Sequence, residues 1–183
     1  SNDNVLQSVD AANRTVTTEF NEVQADVLNV IPAQKAGKVA FAAGLTNDKG
    51  WCPVDLKTFE STIHPNVHVI GDASVATGMP KSGYAANSQA KVCADAVIRS
   101  LYDAPTHNRE RLENITTNSA CYSPITYDEA SWLTANFEFD LLKYEDDPSI
   151  SKMKLTHIGE AEKWNKENYK EMFTWSRNLF TDT

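Results

Sequence analysis

An α/β segment followed by an α+β C-terminal domain is the fold class that this chain predicts, and three stretches carry the prediction. Val67-His68-Val69-Ile70-Gly71 is a β-branched run closed by a glycine, the form of a buried strand, and a Gly/Pro-containing turn leads from it into a helix. That helix, predicted over 82–101, sets Ala85, Ala86, Gln89, Ala90, Val92, Cys93, Ala96 and Val97 mostly on one face of small residues, which permits close packing on a sheet. Beyond it, strand-like runs at 120–123, 131–139 and 141–144 precede a long final helix, predicted from about Glu160 to Phe180.

The remaining elements follow in order. Residues 14–20 alternate as a strand, Asn21-Glu22 turns the chain, and 25–31 is a more buried run that Pro32 ends. A small-residue stretch at 39–44, a Gly/Asn/Asp loop at 46–50 and an extended Cys52–Asp55 lead to the 67–71 strand. Residues 103–119 are polar, with Pro105 and several Asn, and read as a linker. A turn at Asp146-Asp147-Pro148 and a further strand near 152–157 complete the last domain, which contains no internal repeat and no low-complexity tract. The boundaries drawn from this pass are 1–37, 38–103, a linker at 104–119, and 120–183.

Composition narrows the function classes. The 183 residues are 41% hydrophobic with a formal charge of −8, and the 17 Lys and Arg form no basic patch. Phosphate binding needs such a patch, so nucleic acid is excluded, and the acidic balance suits a basic protein partner. No apolar run approaches the ~20 residues that span a bilayer, and residues 1–10 hold no signal-like apolar stretch. Cys52, Cys93 and Cys121 make an odd count, so a full set of disulfides would need another segment.

The chemistry concentrates where the 67–71 strand meets the helix. Asp72 stands where the strand stops, and Gly78-Met79-Pro80-Lys81-Ser82-Gly83-Tyr84 brings a helix N-terminus to the same place. A carboxylate beside helix-start amides suits a ligand with sugar hydroxyls and an electron-rich ring edge. Plainer readings stand beside this one: Asp72 as a strand-end or N-cap carboxylate, and Lys81, Ser82 and Gly83 as ordinary capping with Pro80 at the first helical position. Cys52, between Trp51 and Pro53 after a Gly-containing loop, reads as an exposed and reactive thiol, its plain alternative being a buried small residue. Cys93 and Cys121 read as packing residues. His64, His68, His107 and His157 have no metal-ligand spacing, so no metal is predicted. Trp175 belongs to an aromatic stripe of the last helix, the usual form of core packing.

The Gly71-Asp72 segment resembles the second FAD-binding motif of flavoproteins with two dinucleotide-binding domains. The longer run from Gly50-Trp51-Cys52-Pro53-Val54-Asp55 through His64-Pro65-Asn66 to Pro80-Lys81-Ser82-Gly83-Tyr84-Ala85-Ala86-Asn87-Ser88-Gln89-Ala90 resembles the flavoprotein subunit of flavocytochrome c sulfide dehydrogenase. The likeness is dense over residues 37–101 and returns loosely at Cys121-Tyr122-Ser123 and near the C-terminus. It implies the end of an NAD-like domain at 1–37, the C-terminal half of an FAD domain at 38–103, and an α+β interface domain at 120–183. It also implies FAD as cofactor, with Gly71, Asp72 and Ala73 at the ribityl chain and Lys81, Ser82, Gly83 and Tyr84 at the pyrimidine edge. Cys52 would form a redox-active disulfide with a cysteine of the N-terminal half, and Trp175 would lie near the route from flavin to haem. Sulfide would be the substrate, a cytochrome c subunit the haem-bearing partner, and the periplasm the location. No Gly-x-Gly-x-x-Gly turn for the pyrophosphate occurs here, so the chain is expected to be the C-terminal portion of a longer flavoprotein that shares its FAD with an N-terminal half.

Two alternatives use the same residues. A sulfide:quinone reductase or NADH dehydrogenase shares the Gly-Asp motif but needs an amphipathic anchor with a basic polar face, whereas the last helix mixes Glu160, Glu162, Glu167 and Glu171 with lysines. The other is a non-catalytic domain that holds the cytochrome.

Overall fold

The computed structural model describes residues 4–182; Ser1 to Asp3 and Thr183, the outer ends of the expected 1–37 and 120–183 domains, lie outside the described residues. The chain divides into two units, one ending at Gln34 and one starting at Lys35.

The first unit is an antiparallel meander of β1 (Leu6–Asp10), β2 (Thr15–Thr18) and β3 (Glu22–Gln24). Its register sets Val9, Val16 and Val23 in one row across the three strands. At the first turn the Asp10 carboxylate accepts from the Asn13 side-chain amide at 2.8 Å and its backbone N–H at 3.0 Å, and these bonds hold the carboxyl below the usual range. The strand expected over 25–31 does not form. The ladder ends where Ala25 N–H bonds the Arg14 carbonyl, and Val27 and Ile31 stay exposed because no sheet face takes their side chains.

The second unit opens with α1 (Lys38–Ala42), β4 (Cys52–Asp55), β5 (Glu60–Ser61), a 3-10 turn (Gly71–Ala73), β6 (Ser74–Val75) and α2 (Gly83–Leu101). It continues through α3 (Arg109–Glu113), β7 (Thr116–Pro124), β8 (Ala130–Phe139), α4 (Leu141–Asp146), β9 (Met153–Glu160) and α5 (Lys166–Thr181). One sheet runs β5-β4-β6 and the other β7-β8-β9, so small sheets and helices mix in an α+β arrangement. Phe137, Phe139 and Met153 of the second sheet meet Val54, Leu56 and Phe59 from the β4 region and Leu112 and Ile115 from the α3 region in the main core. α2 lies along β7, and α5 against β8. Among the described residues no helix is long and apolar enough to cross a membrane.

Three further expectations change. Residues 67–70 are extended but form only a single bridge, Glu60 to His68, with Ser61 N–H on the Val67 carbonyl and Val69 N–H on that of Phe59. The β-branched run lacks a buried face on both sides, since Val67 and Ile70 are exposed. The segment expected as a linker carries α3 and the start of β7. Its Arg111 is buried and donates through Nε to Asp95 at 2.6 Å, through Nη1 to the Lys57 and Thr106 carbonyls at 2.8 Å each, and through Nη2 to the Val92 carbonyl at 3.3 Å. The run at 141–144, expected as a strand, is α4. The Asp140 carboxylate caps it by accepting from Lys143 N–H, which favours the helix over a strand that would have no partner.

Both long helices follow from their caps. The Ser82 hydroxyl accepts from Ala85 N–H at 3.2 Å, so α2 begins at Gly83 and Pro80 lies outside it. Asn165 caps α5 in the same way through Asn168 N–H at 2.8 Å, placing its start six residues after the expected Glu160, which closes β9 instead.

Candidate functional site

β4 and β6 pair in parallel, and the register sets Cys52 opposite Ser74. The strand carrying the thiol therefore lies beside the segment that leaves Asp72. Gly71 turns the chain with φ +74°, a left-handed conformation that glycine adopts without the steric cost of a Cβ. Its N–H donates to Gln89 Oε1 of α2 at 2.7 Å, and its carbonyl accepts from the Ser74 hydroxyl at 2.8 Å. Asp72 caps nothing: the turn has no side-chain cap, the residue is exposed, and no group among the described residues donates to its carboxylate. Ala73 is half-buried against the cluster of Ala36, Ala40 and Cys52.

Lys81 is committed to protein groups. Its ammonium donates to the carbonyls of Asp72 and of Ser74, the latter at 3.1 Å, and lies 3.8 Å from the centre of the Trp51 ring. Met79 is held as well, its sulfur accepting from the Thr117 hydroxyl of β7 at 2.9 Å. Gly78 takes φ +96°, and a Cβ there would stand 2.7 Å from the Met153 carbonyl oxygen. The Ser82 hydroxyl pairs with that of Ser119 at 3.0 Å. The 71–83 segment is thus held at Gly71 by α2 and at Met79 and Ser82 by the second sheet. Between Trp51, Gly71, Ser74, Gly78, Lys81 and Gln89 it leaves a cleft of about 230 Å³. Sites that enclose a drug-sized ligand measure roughly 300–1,000 Å³, so this cleft can take only part of a dinucleotide.

Cys52 departs from the exposure expected of it. It is 0% exposed, covered by Ala36 and Ala40, whose small side chains let the chain close over the sulfur. Burial pushes its thiol pKa up, and the charge of Lys81 pulls the other way. Cys93 sits on α2 beside the main core, its thiol also raised by burial, whereas Cys121, expected in the core, is exposed on β7. A small thiol reagent is therefore expected to label Cys121 first, Cys93 more slowly and Cys52 last, as followed by peptide mass spectrometry. Label on Cys52 ahead of Cys121 would show that its cover opens readily.

The sequence-selected residues fall into two groups. Cys52, Gly71, Asp72, Ala73, Lys81, Ser82 and Gly83 belong to the neighbourhood of the cleft. Tyr84 turns elsewhere: its ring stacks on Trp175 of α5, with centroids 6.2 Å apart and planes at 11°, and Tyr122 of β7 meets the same indole at 5.5 Å. These three rings line a larger cavity of about 590 Å³ with Asn87 and Glu171. Trp175 is thus only partly core, and its buried indole N–H finds no acceptor among the described residues.

No known family model matches the chain.

Among the described residues no group of three or more His, Cys, Asp or Glu is placed to hold a metal. Gln89, Met79, Thr117 and Trp51 shape the site without having been singled out for it. Gln89 carried a signal, being an amide on an otherwise small-residue face, and a buried amide must find partners.

Proposed function

We propose that this chain is part of an FAD-dependent sulfide dehydrogenase, supplying one redox cysteine and the ribityl-side and pyrimidine-side walls of the flavin site. One observation carries the reading: an exposed carboxylate with no protein donor, Asp72, is built on a clamped left-handed turn directly beside the strand of Cys52. A carboxylate held without partners suits donors that arrive with a ligand, and the hydroxyls of a ribityl chain are such donors. In this reading the α/β half belongs to a flavoprotein with two dinucleotide-binding domains, and the β7–β9 sheet with α5 faces a cytochrome c subunit in the periplasm.

FAD fits in part. Asp72 and the turn at 71–73 would hold the ribityl chain, and the helix start at Ser82 and Gly83 would border the pyrimidine edge. When bound, the flavin supplies a two-electron acceptor that can release electrons singly to haem. Cys52 would be oxidised, in a disulfide with a cysteine outside this chain. Hydrosulfide attack on one sulfur forms a new S–S bond, a persulfide, and breaks the old one, releasing the other sulfur as a thiolate. Since burial disfavours the Cys52 thiolate, the cover formed by Ala36 and Ala40 has to move or be remodelled for sulfide to reach the sulfur.

Asp72→Ala tests the reading in the intact protein. Loss of a charge-assisted hydrogen bond is worth about 1.5–3 kcal/mol, so FAD affinity is expected to fall roughly ten- to a hundred-fold. The check is flavin absorbance retained after dialysis. Unchanged retention would leave Asp72 without a ligand and remove the main support for a flavin.

A second reading, a non-catalytic domain that holds a cytochrome, draws on Leu133, Leu155 and Ile158, which are exposed on β8 and β9. It predicts cytochrome binding that is indifferent to Asp72 and Cys52.

A further inference from the structure

The flavin reading leaves open what Lys81 does, because its ammonium is spent on the protein itself. Three contacts place it. It donates to the carbonyl of Asp72, which carries the candidate ligand carboxylate, and to that of Ser74 at 3.1 Å. Ser74 is the register partner of Cys52 in the parallel β4–β6 pair. The same ammonium lies over the ring of Trp51, the residue preceding Cys52, at 3.8 Å. One side chain therefore touches the turn, the strand after it and the strand of the thiol.

We infer that Lys81 is a positioning residue: it locks the sulfur-bearing strand and the carboxylate-bearing turn into one geometry and holds its positive charge beside the Cys52 strand. This deepens the proposed function and rests on it, and it gives Lys81 a role other than contact with the flavin. Ala36 and Ala40 from the α1 side share the apolar cluster of Cys52, with Leu45, Trp51, Val69 and Ala73 packed against it. Lys81 is the charge that acts on the thiol, opposing its burial. A cation shared between carbonyl oxygens and an indole face is held in place, so its field at the sulfur does not average away as that of a freely rotating lysine would. The state of the sulfur and the placement of Asp72 are coupled through this one ammonium: a thiolate at Cys52 favours the Lys81 position that also fixes the Asp72 carbonyl.

The test is NMR on the full chain with 13Cβ-labelled cysteine and 15N-labelled backbone, comparing wild type with Lys81→Met, Lys81→Gln and Lys81→Arg. Lys81→Met is expected to raise the Cys52 titration midpoint, with Cys93 unmoved, and to shift the amides of residues 72–75. Lys81→Gln, a neutral donor, separates the two roles: the Cys52 midpoint rises as with Met, even where the amides stay in place. Lys81→Arg restores both. Should Lys81→Met fail to fold, the Gln and Arg variants still decide, because their Cys52 midpoints must differ. A Cys52 midpoint equal in all four proteins overturns the inference, as does an upward shift that Arg does not reverse. Flavin retention is a separate measurement: if Cys52 responds to Lys81 while Asp72→Ala leaves FAD retention unchanged, the flavin reading falls and the positioning role stands.

Discussion

Arg111→Met is expected to destabilise the second unit by about 2–4 kcal/mol, because it withdraws a charged donor from three carbonyls and leaves the Asp95 carboxylate to Arg99 alone. The guanidinium is buried between α2, α3 and the loop after β4, where its partners are Asp95 and the carbonyls of Lys57, Thr106 and Val92. The cost stays below that of a fully buried pair because Asp95 is 45% exposed and can recover water. Urea unfolding followed by circular dichroism checks it. Arg109→Met, which breaks only the exposed pairs with Glu113 and Glu145, should leave the midpoint unchanged. A pH arm identifies the mechanism. Burial pushes the Asp95 carboxyl up, but hydrogen bonds from Arg111 and Arg99 outweigh it and hold the pKa below the ordinary value of 3.8. The folded pKa is the lower one, so this contribution is complete above the unfolded value and is lost as pH falls through the folded value. Wild type should therefore lose stability below pH 3.8 more steeply than Arg111→Met. Equal midpoints for the two proteins at neutral pH would mean that the network is dispensable.

Gly78→Ala has the next largest effect. At φ +96° any side chain is strained, and here the new Cβ meets a backbone oxygen that cannot rotate aside. Backbone strain of 1–3 kcal/mol and a forced shift of β9 or the 76–80 loop together give a loss of about 2–4 kcal/mol. Gly83→Ala is the matched control. It opens α2, has a normal φ and meets nothing within 4 Å, so Ala there should be neutral or stabilising. Thermal unfolding of the two variants side by side separates the clash from a generic intolerance of the segment. A Gly78→Ala protein as stable as Gly83→Ala would show that the loop moves freely away from Met153.

What could be read from residues alone follows from how local each signal is. α2 was legible because its small face, its serine cap and its length all agree within one stretch. The β7–β8 hairpin was legible because β-branched and aromatic residues recur on either side of a turn. The 141–144 run was misread because Leu-Leu with Tyr suits either element. The deciding cap, Asp140, acts through one side-chain bond that a periodicity count does not register. Residues 104–119 look solvated because Arg109, Glu110 and Glu113 face outward, which hides the buried Arg111, Leu112 and Ile115 among them. In the candidate site, Asp72 and Ser82 were legible from the Gly-Asp pair and the helix start. The burial of Cys52 was not, since it depends on Ala36 and Ala40 arriving from 12 to 16 positions earlier and on their being small enough to close. Nor could the engagement of Lys81 be read, because it requires Trp51 and Ser74 to be neighbours, and parallel pairing makes them so only in the folded chain.

The bonds that hold the 79–82 stretch and the loop after β4 have a kinetic consequence. Ser119 reaches Ser82 across 37 positions, Thr117 reaches Met79 across 38, and the Ser151 hydroxyl bonds both the Leu56 amide and the Asp55 carboxylate across 95 and 96. Contacts so distant along the chain must close long loops before they return any free energy, so they form late in folding. As the chain leaves the ribosome, α2 can coil on its own and take the Gly71 N–H through Gln89, whereas Met79 and Ser82 gain their partners only once β7 has emerged. The turn presenting Asp72 is thus clamped early, by a partner 18 positions away, and the stretch that follows it is fixed later.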